Sequence, residues 1–181
     1  MRVIAGTLKG RRLKTPAWEG LRPTSDKLRE TLFNILAPRI AGARVLDGFA
    51  GTGALGIEAL SRGAASVVFV ERDRRAQALI AANLAQCGIE TGYNLVRGAF
   101  DRSIAALQAP ATEPFDIVLL DPPYAIPADL TLAGVDALLA PGGIAVLEHG
   151  KRKPAPEQLN RLRRVRQVTS GDSMLSFYER R

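Results

Sequence analysis

Cysteine and histidine are almost absent from this chain of 181 residues, which contains one of each, Cys87 and His149. A single thiol excludes an internal disulfide and a cysteine-rich zinc site, so Cys87 is interpreted as a small packed residue and no metal centre is expected. His149 stands beside Glu148 after an apolar run and is interpreted as structural. No apolar run reaches the ~18 residues that span a bilayer, and residues 1–4 do not open a secretory signal. We therefore expect a cytoplasmic protein of one domain, or of one domain with a small extension.

Acidic residues are scarce at both ends of the chain, although the overall net charge is only +7. Residues 1–44 contain ten Lys and Arg against three Asp and Glu, a net charge of +7. Residues 45–147 contain six against eleven, a net charge of −5, and residues 148–181 contain nine against four, a net charge of +5. Basic ends around an acidic centre favour a polyanion that is held at the ends while chemistry takes place in the middle. A merely solubilising surface is the alternative, but the clustering favours nucleic acid.

The first 40 residues have a pattern of their own. Apolar residues at 3–5 and 8, with glycines at 6 and 10 and basic residues between and after them, predict a short basic hairpin. Residues 24–26 offer candidate N-caps for a helix with apolar residues at helical spacing, and Pro38 is predicted to end that helix.

From residue 44 onward, strand and helix patterns alternate. The predicted strands are 44–49, 66–71, 93–97, 115–121 and 143–149, and the predicted helices are 54–62, 73–87, 100–108 and 128–139. Repeated βα units of this kind build a parallel sheet with helices on both faces. The tail predicts a helix near 155–162 and then strands at 164–169 and 173–179, joined by a turn at residues 171–172.

A glycine-rich loop, Asp-Gly-Phe-Ala-Gly-Thr-Gly, follows the first predicted strand at residues 47–53 and opens a helix. Gly51 and Gly53 permit a tight turn and a close approach of a ligand, and Gly56 lets the helix pack closely on the sheet. Glu71 ends the next strand, where a carboxylate can accept both hydroxyls of a ribose. This spacing also fits a dinucleotide site. Asp47 favours S-adenosylmethionine instead, since it would attract the ammonium of a methionine and repel a pyrophosphate.

The sequence Asp-Pro-Pro-Tyr at residues 121–124 ends the fourth predicted strand. Asp121 and the carbonyl of Pro122 can accept hydrogen bonds from an exocyclic amine, and Tyr124 can stack on the base that carries it. The two prolines restrict the backbone, so these acceptors are held in place before a substrate arrives. An ordinary turn at the end of a strand is the alternative interpretation.

These motifs resemble those of a class I methyltransferase, and the flanking stretches 2–6, 10–13, 22–27, 29–36 and 56–64 resemble the RsmD family over nearly the whole chain. Members of that family methylate N2 of one guanine in 16S ribosomal RNA with S-adenosylmethionine, on an assembled or nearly assembled small subunit. The resemblance implies a Rossmann-like α/β fold with a mostly parallel seven-stranded sheet, formed by residues 41–181. Residues 1–40 would then form an extension that contacts RNA.

The resemblance also implies roles for individual residues. The catalytic set would be Asp121, Pro122, Pro123 and Tyr124. The donor would be held by Asp47, Gly48, Phe49, Gly51, Thr52, Gly53, Glu71, Arg72, Ala99, Phe100 and Asp121. The resemblance adds Arg22, Pro23 and Thr24 as residues that place the substrate, and the basic clusters predict RNA contacts at Arg2, Lys9, Arg11, Arg12, Lys151 and Arg152. Two places depart from the family pattern: Asp101 or the backbone of residues 99–100 would replace an acidic contact to the adenine, and residues 171–174 lack the usual aromatic-glycine turn.

Three other functions are compatible with parts of the sequence. Methylation of adenine N6 would use the same motif at residues 121–124, but the chain has no separate target-recognition domain. A nicotinamide-dependent oxidoreductase would need a hydride-transfer partner, which the sequence does not show. A non-catalytic RNA-binding assembly factor would tolerate loss of Asp121 and the loop glycines, and all of them are present.

Overall fold

A single sheet forms the centre of the computed structural model, which describes residues 1–18, 25–109 and 111–181. Its eight strands in the described residues are β1 (Arg44–Asp47), β2 (Ser66–Glu71), β3 (Tyr93–Arg97), β4 (Phe115–Leu120), β5 (Leu139–Gly150), β6 (Gln158–Leu159), β7 (Leu162–Ser170) and β8 (Ser173–Arg180). Their order across the sheet is β3-β2-β1-β4-β5-β8-β7-β6. Strands β1 to β5 are parallel, whereas β8 is antiparallel to both β5 and β7. The Rossmann-like fold is confirmed, with β6 as one short strand more than the predicted seven.

Helices cover both faces of the sheet. They are α1 (Asp26–Ile40), α2 (Ala54–Ser61), α3 (Arg74–Cys87), α4 (Phe100–Leu107) and α5 (Ala128–Leu132), with a 3-10 turn at Val135–Ala137. Within the described ranges, no helix has the combination of length and apolar character that a membrane crossing requires.

The strands divide their side chains between two apolar clusters because successive residues of a strand point to opposite faces. On β1, Val45 joins the cluster under α1, α2 and α3, while Leu46 joins the cluster under α4 and α5. Ile117 and Val118 of β4 divide in the same way. Strands β1, β2 and β4 are therefore buried on both faces, which explains why they form nearly continuous apolar runs in the sequence, whereas the edge strand β3 is largely exposed.

The N-terminal segment forms a loose hairpin rather than two regular strands. Arg2 bridges Arg12 in an antiparallel pair, and Val3 N–H donates to the carbonyl of Arg11 at 2.9 Å. Val3 and Leu13 are buried in the same cluster as α1 and α2. The predicted hairpin is confirmed, whereas the division into an extension at 1–40 and a catalytic domain at 41–181 remains a prediction.

Buried charges fasten this hairpin to α2. Glu58 is completely buried, and its carboxylate accepts the N–H groups of Ile4 at 2.8 Å and Ala5 at 3.0 Å. The same carboxylate pairs with Arg62 at 2.7 Å and lies 3.9 Å from the buried guanidinium of Arg29. Since a buried charge is costly without partners, this cluster fixes where the hairpin sits.

Helix α1 begins as predicted but ends later. Ser25 is the N-cap and accepts a hydrogen bond from Leu28 N–H. The prediction that Pro38 ends the helix is wrong, because the helix continues to Ile40 with the proline in its last turn. Ile40 is only 4% exposed, so its burial in the core offsets the hydrogen bond that Pro38 cannot make.

Two predictions in the second half of the chain are also wrong. The single helix predicted at 128–139 is instead α5 followed by the 3-10 turn, because Gly134 between them has a left-handed φ of +78°. The helix predicted near 155–162 does not form; residues 158–159 pair with β7 instead. The arginines at 161, 163, 164 and 166 consequently lie on or beside a strand near the edge of the sheet.

Candidate functional site

The candidate site lies where the direction of chain progress across the sheet reverses. From β1 the chain moves outward through β2 and β3, and then returns to the other side of β1 with β4. Ligands of open α/β sheets bind in the crevice outside the carboxyl ends of strands at such a switch point. A cavity of about 970 Å³ opens there, and its wall includes the end of β2, the residues directly after β1 and β4, and the turn between β7 and β8.

The glycine loop joins β1 to α2 through tight backbone contacts. Gly51 and Gly53 have φ values of +53° and +79°, a region in which side chains are strained. Gly53 N–H donates to the carbonyl of Ala50 at 2.7 Å, and Gly48 N–H donates to the carbonyl of Leu119 in β4 at 2.9 Å. A Cβ at Gly56 would lie 2.2 Å from the ring of Phe69, so this glycine lets α2 approach the sheet.

Glu71, at the end of β2, holds the loop in place. One carboxylate oxygen accepts Gly51 N–H at 2.8 Å, and the other accepts Asp73 N–H at 2.8 Å. Asp73 caps α3 and forms an ion pair with Arg75 at 2.9 Å, which lowers the pKa of Asp73 to about 2. A carboxylate oxygen has two lone pairs, so Glu71 retains capacity to accept the hydroxyls of a ribose. Arg72 is exposed on the same wall.

Asp47 lies beneath the loop and is completely buried. One of its oxygens accepts Gly56 N–H at 3.0 Å, and the other has no hydrogen-bond partner among the described residues. The pKa of Asp47 is raised from 3.8 to about 7, and burial is the largest cause; the hydrogen bond from Gly56 opposes the rise, and the charges of Asp121 and Glu71 contribute to it. A cation bound nearby would therefore lower the pKa of Asp47 and favour its ionised form.

An apolar wall lies on the β3 side of the cavity. The rings of Phe49 and Phe100 have centroids 5.2 Å apart, and both residues line the cavity. Ala99 is the N-cap residue of α4, and Asp101 stands in its first turn, so both alternatives for contacting an adenine face the same space. This arrangement offers aromatic surface together with polar groups at one edge, as a nucleoside base requires.

Residues 121–124 form another part of the wall, directly after β4. Pro122 is buried, whereas Tyr124 is 37% exposed. The hydroxyl of Tyr124 lies 3.1 Å from the Ser173 hydroxyl, and the ammonium of Lys153 donates to the Tyr124 backbone carbonyl. These contacts anchor the ring and its peptide from two separate parts of the chain.

Most of the predicted donor and catalytic residues line one cavity. The exceptions among the described residues are Asp47 and Gly53, which lie behind the wall. Six predicted RNA contacts are exposed and lie outside the lining of this cavity: Arg2, Lys9, Arg11, Arg12, Lys151 and Arg152. Arg22, Pro23 and Thr24 lie outside the described residues.

Several residues on the cavity wall are absent from the predicted site. Glu148 is 9% exposed and lies near the end of β5, just as Glu71 ends β2. An acidic residue that follows an apolar strand could therefore have identified Glu148 from the sequence. Trp18 lines the cavity with the guanidinium of Arg75 4.9 Å from its ring centre, a contact between distant parts of the chain. Ser25, Lys27 and Ser173 also lie on the wall. His149 bonds to Ser176 and to the Lys153 carbonyl, each at 2.8 Å, in agreement with a structural role.

The chain is similar to known proteins over most of its length. A family model described as conserved hypothetical protein 95 matches residues 1–179. Ribosomal RNA small subunit methyltransferase D of Haemophilus influenzae is 39% identical over 160 residues, which cover 85% of this chain and 81% of that protein. The Escherichia coli protein of that name is 45% identical over 124 residues, covering 68% of this chain and 60% of that protein.

Solved structures agree with the fold. A hypothetical protein from Thermus thermophilus superimposes with a TM-score of 0.83 at 31% identity, and the match covers 98% of each chain. The likeness therefore includes the N-terminal hairpin and the β7–β8 hairpin as well as the parallel sheet.

Proposed function

We propose which atom accepts the methyl group, starting from the family of the protein. The chain belongs to the conserved hypothetical protein 95 family, the RsmD-type methyltransferases. It is an S-adenosylmethionine-dependent ribosomal RNA methyltransferase. The proposed acceptor is the exocyclic N2 of one guanine in 16S ribosomal RNA of the small subunit. The observation that carries the proposal is that the glycine loop and residues 121–124 open onto one cavity.

The donor half of the cavity fits S-adenosylmethionine by its chemistry. Gly51 brings backbone to the surface of the cavity, Glu71 offers a carboxylate for the ribose hydroxyls, and Phe49 and Phe100 offer apolar surface for the adenine. The buried carboxyl of Asp47 supplies negative charge behind the loop, where it would favour the ammonium of the methionine through space.

The acceptor half fits an amino group on a flat base. Asp121 and the carbonyl of Pro122 would accept the two N–H groups of the amine, while Tyr124 would stack on the ring. Tyr124 is already anchored by Ser173 and Lys153, so the stacking surface is preorganised and little ordering remains for the bound state.

These contacts give the residues a defined part in the reaction. Bound S-adenosylmethionine supplies a methyl group that is already activated by its sulfonium. By accepting both N–H groups, Asp121 and the Pro122 carbonyl would favour a pyramidal nitrogen with its lone pair directed at that methyl. The acidic surroundings would favour the positive charge that develops on the nitrogen. A paired base could not reach the cavity, so the guanine must be unpaired or flipped out of its stack.

Phosphate contacts would come from the basic ends of the chain. The exposed cations of the hairpin, Lys9, Arg11 and Arg12, and those after β5, Lys151 and Arg152, would give affinity and orientation more than sequence selectivity. We propose that Arg22, Pro23 and Thr24 help to place the substrate. The proposed partner is the small subunit or a late assembly intermediate, met in the cytoplasm by a monomer.

The test uses small ribosomal subunits from cells that lack this protein. Asp121→Ala is expected to reduce methyl transfer by roughly a hundredfold or more, since the amine loses its charged acceptor, while S-adenosylhomocysteine binding measured by calorimetry changes little. Asp129→Ala serves as the matched control, because that aspartate is exposed on α5 and does not line the main cavity. Equal transfer rates for Asp121→Ala and the wild type would refute the proposed role.

Adenine N6 is the competing acceptor, because its amine would make the same two hydrogen bonds with residues 121–124. Nucleoside mass analysis of the methylated RNA separates the two products. N2-methylguanosine at one position supports the proposal, and N6-methyladenosine, in RNA or in a parallel DNA reaction, contradicts it.

A further inference from the structure

Asn83 connects two parts of the chain that meet the same cavity. This side chain lies on α3, is completely buried and forms none of the predicted site. Its amide oxygen accepts Lys14 N–H at 2.7 Å, and its amide nitrogen donates to the Lys14 carbonyl at 3.1 Å. The same nitrogen donates a second hydrogen bond, at 2.9 Å, to the carbonyl of Thr52 in the glycine loop.

Both partners of Asn83 lead to the wall of the cavity. Thr52 lies on the donor side, next to Gly51. Lys14 is the last residue of the hairpin before the chain continues to Trp18 and later to Ser25, both of which line the cavity. One buried amide therefore sets the distance between the donor loop and the point from which the N-terminal segment enters the wall.

A second series of contacts also connects the N-terminal segment to the glycine loop. The guanidinium of Arg75 lies 4.9 Å from the ring centre of Trp18 and pairs with Asp73 at 2.9 Å. Asp73 N–H donates to Glu71, whose other oxygen holds Gly51. Trp18 is thus connected to the donor loop through charged groups, and Asn83 fixes the chain four residues earlier.

We infer that Asn83 is a positioning residue that couples donor binding to the part of the cavity wall that the N-terminal segment supplies at Trp18. A donor that contacts the loop at residues 51–52 restrains the Thr52 carbonyl, and Asn83 transmits this restraint to the backbone of Lys14. The wall would then be best ordered after the donor has bound. The inference rests on the proposed function because it needs the donor at this loop.

Hydrogen exchange measures this coupling directly, because the Lys14 amide is itself bonded to Asn83. In the wild type, saturating S-adenosylhomocysteine is expected to slow exchange of the peptide containing Lys14 by about fivefold or more. Asn83→Ala and Asn83→Asp should lose this response and bind S-adenosylhomocysteine about fivefold more weakly, the usual consequence of losing one hydrogen bond. Asn83→Asp keeps the volume of the side chain, so it remains informative if Asn83→Ala folds poorly.

Gln86→Ala is the matched control. Gln86 lies one turn further along α3 and donates to the Arg12 carbonyl at 2.6 Å, so it also ties the hairpin to α3, but it is exposed and does not contact the glycine loop. This variant should keep both the donor affinity and the exchange response.

The outcomes separate the inference from the function on which it rests. If wild-type protein binds S-adenosylhomocysteine without any change at Lys14, or if the Asn83 variants are less stable but keep affinity and response, the coupling is refuted. If the wild type does not bind S-adenosylhomocysteine, the donor site itself is refuted.

Discussion

Replacing Asp47 by asparagine should change the pH dependence of stability more than any single surface substitution. The carboxyl is completely buried and its pKa is raised from 3.8 to about 7, chiefly by burial. The folded protein therefore holds this proton more tightly than the unfolded chain does. The stability contributed by the neutral carboxyl is complete below pH 3.8 and is lost as the pH rises to about 7.

The size of the effect follows from the shift. Each pKa unit corresponds to about 1.4 kcal/mol, so a shift of about three units costs the wild type about 4 kcal/mol above pH 7. In Asp47→Asn the new amide cannot ionise and keeps an acceptor for Gly56 N–H, but its buried N–H₂ group costs about 1–3 kcal/mol if it lacks partners. The variant should thus be less stable than the wild type at pH 4 and more stable by about 1–3 kcal/mol at pH 8.

Urea unfolding followed by circular dichroism at constant ionic strength, between pH 4 and pH 8, measures this difference. Subtracting the two proteins at each pH isolates Asp47 from the other titrating groups. A difference in unfolding free energy that stays constant over this range would show that Asp47 titrates normally, and the electrostatic description of the site would then be wrong.

Three further predictions use the same contacts. S-adenosylhomocysteine should bind about tenfold more weakly at pH 6 than at pH 8, because its ammonium favours ionised Asp47; calorimetry of Asp47→Asn should show no such slope. Glu58→Gln should lower the free energy of unfolding by about 3–5 kcal/mol because it leaves Arg29 underpaired in the core, whereas exposed Glu30→Gln should have little effect in the same urea titration. Gly56→Ala should cost about 1–3 kcal/mol, since its Cβ would meet the Phe69 ring, and Gly150→Ala, with open space, should be tolerated in thermal unfolding.

The order of strands and helices in the first two thirds of the chain was accessible from sequence because it depends on local patterns. The bounds predicted for β2 and β3 match the structure, and α2, α3 and α4 differ by one residue. Two of the errors fall where tertiary contacts override local signals. Pro38 is accommodated because Ile40 is buried beyond it, and residues 158–159 pair with β7 instead of forming a helix.

The candidate site divides in the same way. The glycine loop and residues 121–124 are contiguous motifs, so their chemistry could be read directly, and the structure places them on one cavity. Glu148 and Trp18 join the same wall only through folding, from opposite ends of the chain. The contacts of Asn83 join residues 31 and 69 positions apart, and nothing in the helical pattern of α3 indicates them.

By itself, the sequence determined the βα order, the loop chemistry and the motif after β4, because apolar periodicity and turn residues act between near neighbours in the chain. Only the tertiary structure decided that β8 lies between β5 and β7, that Glu58 and Asn83 hold the N-terminal hairpin, and that Asp47 is buried. Burial and long-range hydrogen bonds are properties of the packed chain, since a polar residue gains its partner and its pKa from groups that only folding brings near.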